Sequence, residues 1–145
     1  MTPLQTPRII NPFAPPAYNG VLNATPDGWV DRVYHVPFNV TMAALTFRDN
    51  LARDVPTDGD FIWRSTIANT QTGAYSVKFK DAQGYEFSNG LIHYLNLSAT
   101  GAAPAANGKE VMIPAGGQIG IEIQELSGAE NVIQIVFKGV MRYKL

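Results

Sequence analysis

His35 and His93 are the only two histidines of the 145-residue chain, and there is no cysteine. Acid–base and nucleophilic catalysis need a histidine, an activated nucleophile or a carboxylate pair in a sheltered site. His35 lies between Tyr34 and Val36, and His93 between Ile92 and Tyr94. Both settings read as strand histidines rather than as catalytic ones. Two imidazoles without a thiolate do not make a dedicated transition-metal site. Asp54, Asp58 and Asp60 gather around Gly59, and clustered carboxylates are what calcium binds. Their spacing does not fit an EF-hand loop, and Asp-Gly is first of all a turn signal, so a solvated loop is the favoured reading. There is no glycine-rich phosphate loop and no nucleophile elbow. Glycoside hydrolysis needs two acids that merely meet in space, and the sequence promotes no particular pair. The expectation is a chain that is not an enzyme and carries no cofactor and no metal.

Aromatic rings offer a second chemistry. Trp29, Trp63, Tyr75, Tyr85, Tyr94 and Tyr143 are the residue types of a sugar-stacking platform. They are also the usual filling of a β-protein core, and core filling is the favoured reading.

Composition narrows the partners. Hydrophobic residues are 46% of the chain and charged residues 16%, against about 25% charged in an average soluble protein. Either part of the surface is covered in use, or uncharged polar residues replace Lys and Glu. The net charge of −1 comes without a basic stripe, which argues against nucleic acid as a partner. No apolar run reaches membrane-spanning length, and Met1 to Gln5 lack the pattern of a signal peptide. The sequons at Asn23, Asn39 and Asn96 then read as chance matches. A soluble protein made in a cytoplasm is expected.

These residues must be positioned by two unlike segments. Residues 1–32 read as an extended arm, because six of the ten prolines fall at Pro3, Pro7, Pro12, Pro15, Pro16 and Pro26. Proline fixes φ and lacks a donor, so neither a helix nor a central strand is possible there. The arm also carries Leu4, Ile9, Ile10, Phe13, Tyr18, Val21, Leu22 and Trp29, which solvated tails lack. Burying those side chains yields on the order of 12–24 kcal/mol. Ordering the backbone costs on the order of 30–60 kcal/mol, somewhat less with so many prolines. The arm therefore needs a surface that also supplies hydrogen bonds. That surface is its own domain or, as the favoured reading, a neighbouring subunit. Ile10, Phe13, Tyr18 and Trp29 are the expected partner-binding positions, since apolar bulk sits there among prolines.

Residues 33–145 read as short strands divided by turns. Val33 to Val40 is expected as a strand that Pro37 confines to a sheet edge. Ala43 to Arg48 and Phe61 to Ala68 follow. Tyr75, Val77 and Phe79 alternate with Ser76, Lys78 and Lys80, the period of a half-buried strand. Asp81 to Gly84 predicts a hairpin turn into Tyr85 to Phe87, with another strand over Leu91 to Leu97. A loop over Ser98 to Asn107 leads to a strand over Lys109 to Ile113. Ile119, Ile121 and Ile123 show the clearest alternation; then Ile133, Ile135 and Phe137 face in, and Gln134, Val136 and Lys138 face out. Gly139 marks a bulge or bend before Val140 to Lys144. No segment has a convincing helical period. The predicted fold is all-β: a jelly roll or related antiparallel β-sandwich of eight or nine strands.

The run Phe61-Ile62-Trp63-Arg64-Ser65, then Tyr75-Ser76-Val77-Lys78-Phe79 with Asp81 and Gly84, and the ending Ile135 to Tyr143 resemble small accessory head proteins of tailed bacteriophages. The likeness covers Asp60 to the C-terminus and rests on strand and turn patterns; the arm does not align with it. It implies a capsid cement or decoration protein with a jelly-roll body, present as a dimer or trimer on the capsid exterior of the virion. Its partner would be the major capsid protein, whose adjacent subunits it would bridge after assembly in the host cytoplasm. Rival expectations are a receptor- or carbohydrate-binding module of a phage tail or fibre, a neck or tail-completion protein, and a bacterial enzyme accessory module.

Overall fold

A computed structural model of the chain describes residues 28–70, 73–97 and 105–144. Eight strands run in order: β1 Trp29–Met42, β2 Phe47–Asp54, β3 Asp60–Thr70, β4 Tyr75–Lys80, β5 Ile92–His93, β6 Ala105–Ile113, β7 Gln118–Glu125 and β8 Asn131–Lys144. They form two four-stranded sheets, β1-β8-β3-β6 and β2-β7-β4-β5, and all the ladders are antiparallel.

That order has a simple origin. β1 pairs with β8, β2 with β7, β3 with β6 and β4 with β5, as in one long hairpin folded at β4–β5. Winding this ribbon adds the β3–β8 and β4–β7 ladders and produces a jelly-roll β-sandwich. The two sheets share one core. Isoleucines 119, 121, 123, 133 and 135 are fully buried, each on the inward step of its strand. Trp63, Phe79 and Phe137 meet edge to face at centroid distances of 5.1–5.5 Å, the arrangement the ring quadrupoles favour. The Trp63 indole donates to the Ser65 carbonyl and to Thr66 Oγ1, so its polar atom is satisfied inside the core.

Several boundaries differ from the sequence-based expectation. β1 opens at Trp29 rather than Val33, so the body begins before the expected division at residue 32. Strand β1 is a sheet edge, as Pro37 requires. Ala43 to Thr46 is a turn instead of a strand: Thr46 donates through N and Oγ1 to the Ala43 carbonyl, and Leu45 sits at φ 56°. β2 lies further on, where its polar sequence hid it; Leu51 is its one buried residue. β6 starts at Ala105, not Lys109. Tyr85 to Phe87 contributes only an isolated bridge, Lys80 to Glu86. The expected strand over Leu91 to Leu97 is two residues of β5 and a 3-10 turn, Tyr94–Asn96.

Gly139 does mark a bulge, which its partner strand carries. Trp63 pairs with Gly139 and Ser65 with Lys138, leaving Arg64 as the extra residue. A Cβ on Gly139 would fall 1.8 Å from the Ile62 carbonyl oxygen, so only glycine lets the two backbones approach this closely.

Candidate functional site

Register turns the first sheet's outer face into rows that the linear sequence does not display. In β1 the side chains of Val36, Phe38, Val40 and Met42 enter the core, so Val33, His35, Pro37, Asn39 and Thr41 take the outward steps. Across the β1–β8 ladder these lie beside Val140, Lys138, Val136, Gln134 and Val132. The β3–β8 and β3–β6 ladders extend the rows to Ile62, Ser65, Ile67 and Met112.

One row is therefore Val33, Val140, Ile62, Met112, and the next is His35, Lys138, Ser65. Pro37, Val136, Ile67 follow, and then Asn39 with Gln134, whose side-chain amide donates to Asn39 Oδ1 at 2.9 Å. Thr41 and Val132 complete the series. Val33 is 66% exposed, Met112 57% and Val132 40%. Between the first two, Ile62 and Val140 are each only 4% exposed, although neither belongs to the core between the sheets. Charge collects at one end of the face, where Arg142 grips Asp31 through two hydrogen bonds of 2.8 and 2.9 Å, and at the β6 edge, where Arg64 pairs with Glu110.

The second sheet presents a different outside. Lys78 contacts Glu86 at 2.9 Å and Glu122 at 3.8 Å, and Lys80 contacts Glu122 at 3.0 Å. The hydrogen bond from Lys78 holds Glu86 below the usual carboxylate range, and the same bond raises Lys78. Gln118 adds a hydrogen bond to Asp54. This face is polar throughout its central strands.

Where the sheets meet at one end, Glu125 is fully buried. Its carboxylate accepts from the backbone N–H groups of Leu45, Ser127 and Gly128, from the Ser127 hydroxyl and from the Asn131 amide. Burial by itself raises the carboxyl, but these donors overrule it and bring it down to about 2, because each stabilises the charged form. Asn131 also donates to the carbonyls of Gly73 and Ala74. The group ties three connections together and faces no cleft, which makes it a structural clamp.

Two clefts open at the sides of the sandwich. One, of about 350 Å³, lies among Trp63, Phe79, Phe87, Val111 and Lys109. The other, of about 260 Å³, lies between Pro37 of β1 and Arg53 of β2. Tyr34, His35 and Asp54 also line the second cleft, and Thr66 and Asn107 the first.

The residues singled out from sequence are dispersed. Ile10, Phe13 and Tyr18 lie outside the described residues. Trp29 begins β1, paired with Lys144, whose ammonium lies 6.0 Å from the ring centroid. His35 faces outward in the row with Lys138. His93 caps the 3-10 turn, its Nδ1 accepting from Leu95 N at 3.3 Å. Asp54 and Asp60 spend an oxygen each on separate loop contacts, to Gln118 and to Ala115 N. Among the described residues no three His, Cys, Asp or Glu side chains gather as a metal site would require. The six rings do not form a platform: Trp63 and Tyr75 are buried, Tyr75 stacks on Tyr94 at 5.2 Å, and Tyr85, 67% exposed, meets Phe87 edge to face at 5.9 Å.

The outward aliphatic rows were missed at the sequence level. Their signal lies in β8, where Val132, Val136 and Val140 recur every fourth residue on the step opposite Ile133, Ile135 and Phe137. A strand with one solvated face would not keep that pattern. No family model and no curated protein matches the chain.

Proposed function

We propose that this protein is a non-enzymatic virion structural protein of a tailed bacteriophage, a cement or decoration protein that stabilises the capsid by bridging subunits of the major capsid protein. In this reading the jelly-roll body is a rigid homo-oligomeric platform on the capsid exterior, and the proline-rich segment around Ile10, Phe13 and Tyr18 holds the shell. The observation that carries the proposal is the two-sidedness of the body. One outer sheet face is solvated by a ladder of ion pairs, while the other carries aliphatic rows in which Val33, Met112 and Val132 stand exposed, as on surfaces that meet proteins. The low charge of the whole chain agrees with it.

The test uses purified particles and the full chain. The protein's copy number should follow the lattice of the shell; about a dozen copies or fewer would place it at the symmetry of a neck or tail instead. A full-length variant with Ile10, Phe13 and Tyr18 all changed to alanine should bind capsids at least about tenfold more weakly. Unchanged binding would remove the arm from the mechanism.

A further inference from the structure

We infer that the outer face of the β1-β8-β3-β6 sheet is where a second copy of this chain packs, face to face about a two-fold axis lying along the row Pro37, Val136, Ile67. Three observations lead there. First, the rows form a palindrome. Counting outward from Pro37-Val136-Ile67, the polar row His35-Lys138-Ser65 stands on one side and Asn39-Gln134 on the other. Beyond these lie Val33-Val140-Ile62-Met112 and Thr41-Val132. A two-fold axis along the middle row therefore lays Val136 on Val136, Val140 on Val132, Val33 on Thr41 and one polar row on the other, the self-complementary pairing that an isologous interface requires.

Second, the polar rows suit one another. The axis lays Asn39 and Gln134 against the His35-Lys138-Ser65 row of the other copy, and each amide carries both a donor and an acceptor, so it can pair with whichever polar group it meets. Toward the ends of the face Asp31 is paired with Arg142 and Arg64 with Glu110 within the chain, so these four charges do not call for a partner of opposite charge.

Third, the face is large enough. β1 and β8 have 14 residues each, and strands rise about 3.3 Å per residue with neighbours about 4.8 Å apart. The face then covers on the order of 700 Å², close to the roughly 800 Å² that each partner gives to a standard stable interface. Ile62 and Val140 add little accessible area, so Val33, Val136, Ile67, Met112 and Val132 would supply most of the burial.

The inference rests on the homo-oligomer in the proposed function and is independent of the capsid. Capsid binding by a monomeric protein would end this inference and the homo-oligomeric platform with it, and spare the capsid-bridging role. A dimer that binds no capsid would do the reverse.

The absence of cysteine permits a clean geometric test. Packed sheets lie about 10 Å apart, too far for a direct disulfide, so single-cysteine full-length variants are joined with a short bismaleimide. Val136→Cys should cross-link to itself. Val33→Cys should cross-link to Thr41→Cys in a mixture and scarcely to itself. In sedimentation across the micromolar range, the unmodified chain should run at twice its 15.8 kDa mass. Val136→Glu should weaken self-association by about a hundredfold, since the axis brings two carboxylates together. Val33→Glu, at a position exposed enough to leave folding intact, should weaken it by about tenfold. Ala52→Glu on the opposite sheet should leave it unchanged. A monomeric unmodified chain overturns the inference, as does a dimer indifferent to both glutamates or one in which Val33→Cys joins itself in preference to Thr41→Cys.

Discussion

The two sheets of this sandwich share one core and the same antiparallel geometry, yet their outer faces are built on opposite plans. Outside the second sheet, Lys78, Lys80, Glu86 and Glu122 form a continuous chain of opposite charges. Outside the first, aliphatic rows centred on Val136 alternate with amide and weakly charged rows. Inward steps decide that each sheet forms; outward steps decide what it will touch. Folding and recognition are thus written on alternate residues of the same strands.

The difference can be probed first at the backbone. Gly139 of the first sheet and Gly120 of the second each lie close to a neighbour. A Cβ at Gly139 meets the Ile62 carbonyl, whereas one at Gly120 meets the Lys80 side chain at 2.7 Å. Backbone cannot step aside, but a lysine stem can. Gly139→Ala should therefore cost about 3 kcal/mol or more in urea unfolding, and Gly120→Ala under about 1 kcal/mol. Equal costs would show that the bulge does not fix the first sheet.

The second probe is acid, acting where the sheets join. Glu125 titrates near 2 when folded, below its ordinary 4.5. Its contribution is therefore complete above about pH 4.5 and is lost as the pH falls toward 2. Glu125→Gln should lower the melting temperature at neutral pH and flatten the stability profile between pH 4.5 and 2. A profile as steep as that of the unmodified chain would place the acid sensitivity elsewhere.

Smaller effects are expected from the charged groups on each outer face. Asp31→Asn at the end of the first sheet breaks a bidentate pair with Arg142 and should cost about 1–3 kcal/mol in urea unfolding, charged hydrogen bonds being the stronger kind. Lys78→Gln in the second sheet removes an exposed contact and should have the least effect. Its shift in melting temperature should vanish in about 1 M salt, where screening acts within about 3 Å. A large, salt-insensitive loss would mean that the charged ladder supports the fold rather than its solvation.

Much of the architecture was legible in the residues. β4, β7 and β8 announced themselves because Tyr75 to Phe79, Ile119 to Ile123 and Ile133 to Phe137 alternate strictly. Pro37 placed β1 at an edge, and Gly139 located the bulge. β2 was hidden because an edge strand with a single inward residue, Leu51, has no period to detect. Trp29 was read with the arm because proline density blurred the boundary, while its pairing with Lys144 lies at the far end of the chain. Beyond the valines of β8, the make-up of the outer-face rows is illegible for the same reason. Val33 becomes a neighbour of Val140 only through a ladder that joins the first strand to the last, and no local pattern carries that pairing.

That ladder also sets a timetable. Of the eight described strands β8 leaves a ribosome after the other seven, and it lies between β1 and β3 in the first sheet. Until it arrives, β1 lacks its ladder partner, and β3 has only β6 beside it. The second sheet needs nothing beyond β7. Contacts that span nearly the whole chain make closure slow, on the millisecond-to-second scale of β-sandwiches. During synthesis the charged sheet can therefore assemble first, and the aliphatic rows come together only once β8 has been made. The aliphatic face is thus completed last, which shortens the time in which a half-made chain exposes it to its neighbours.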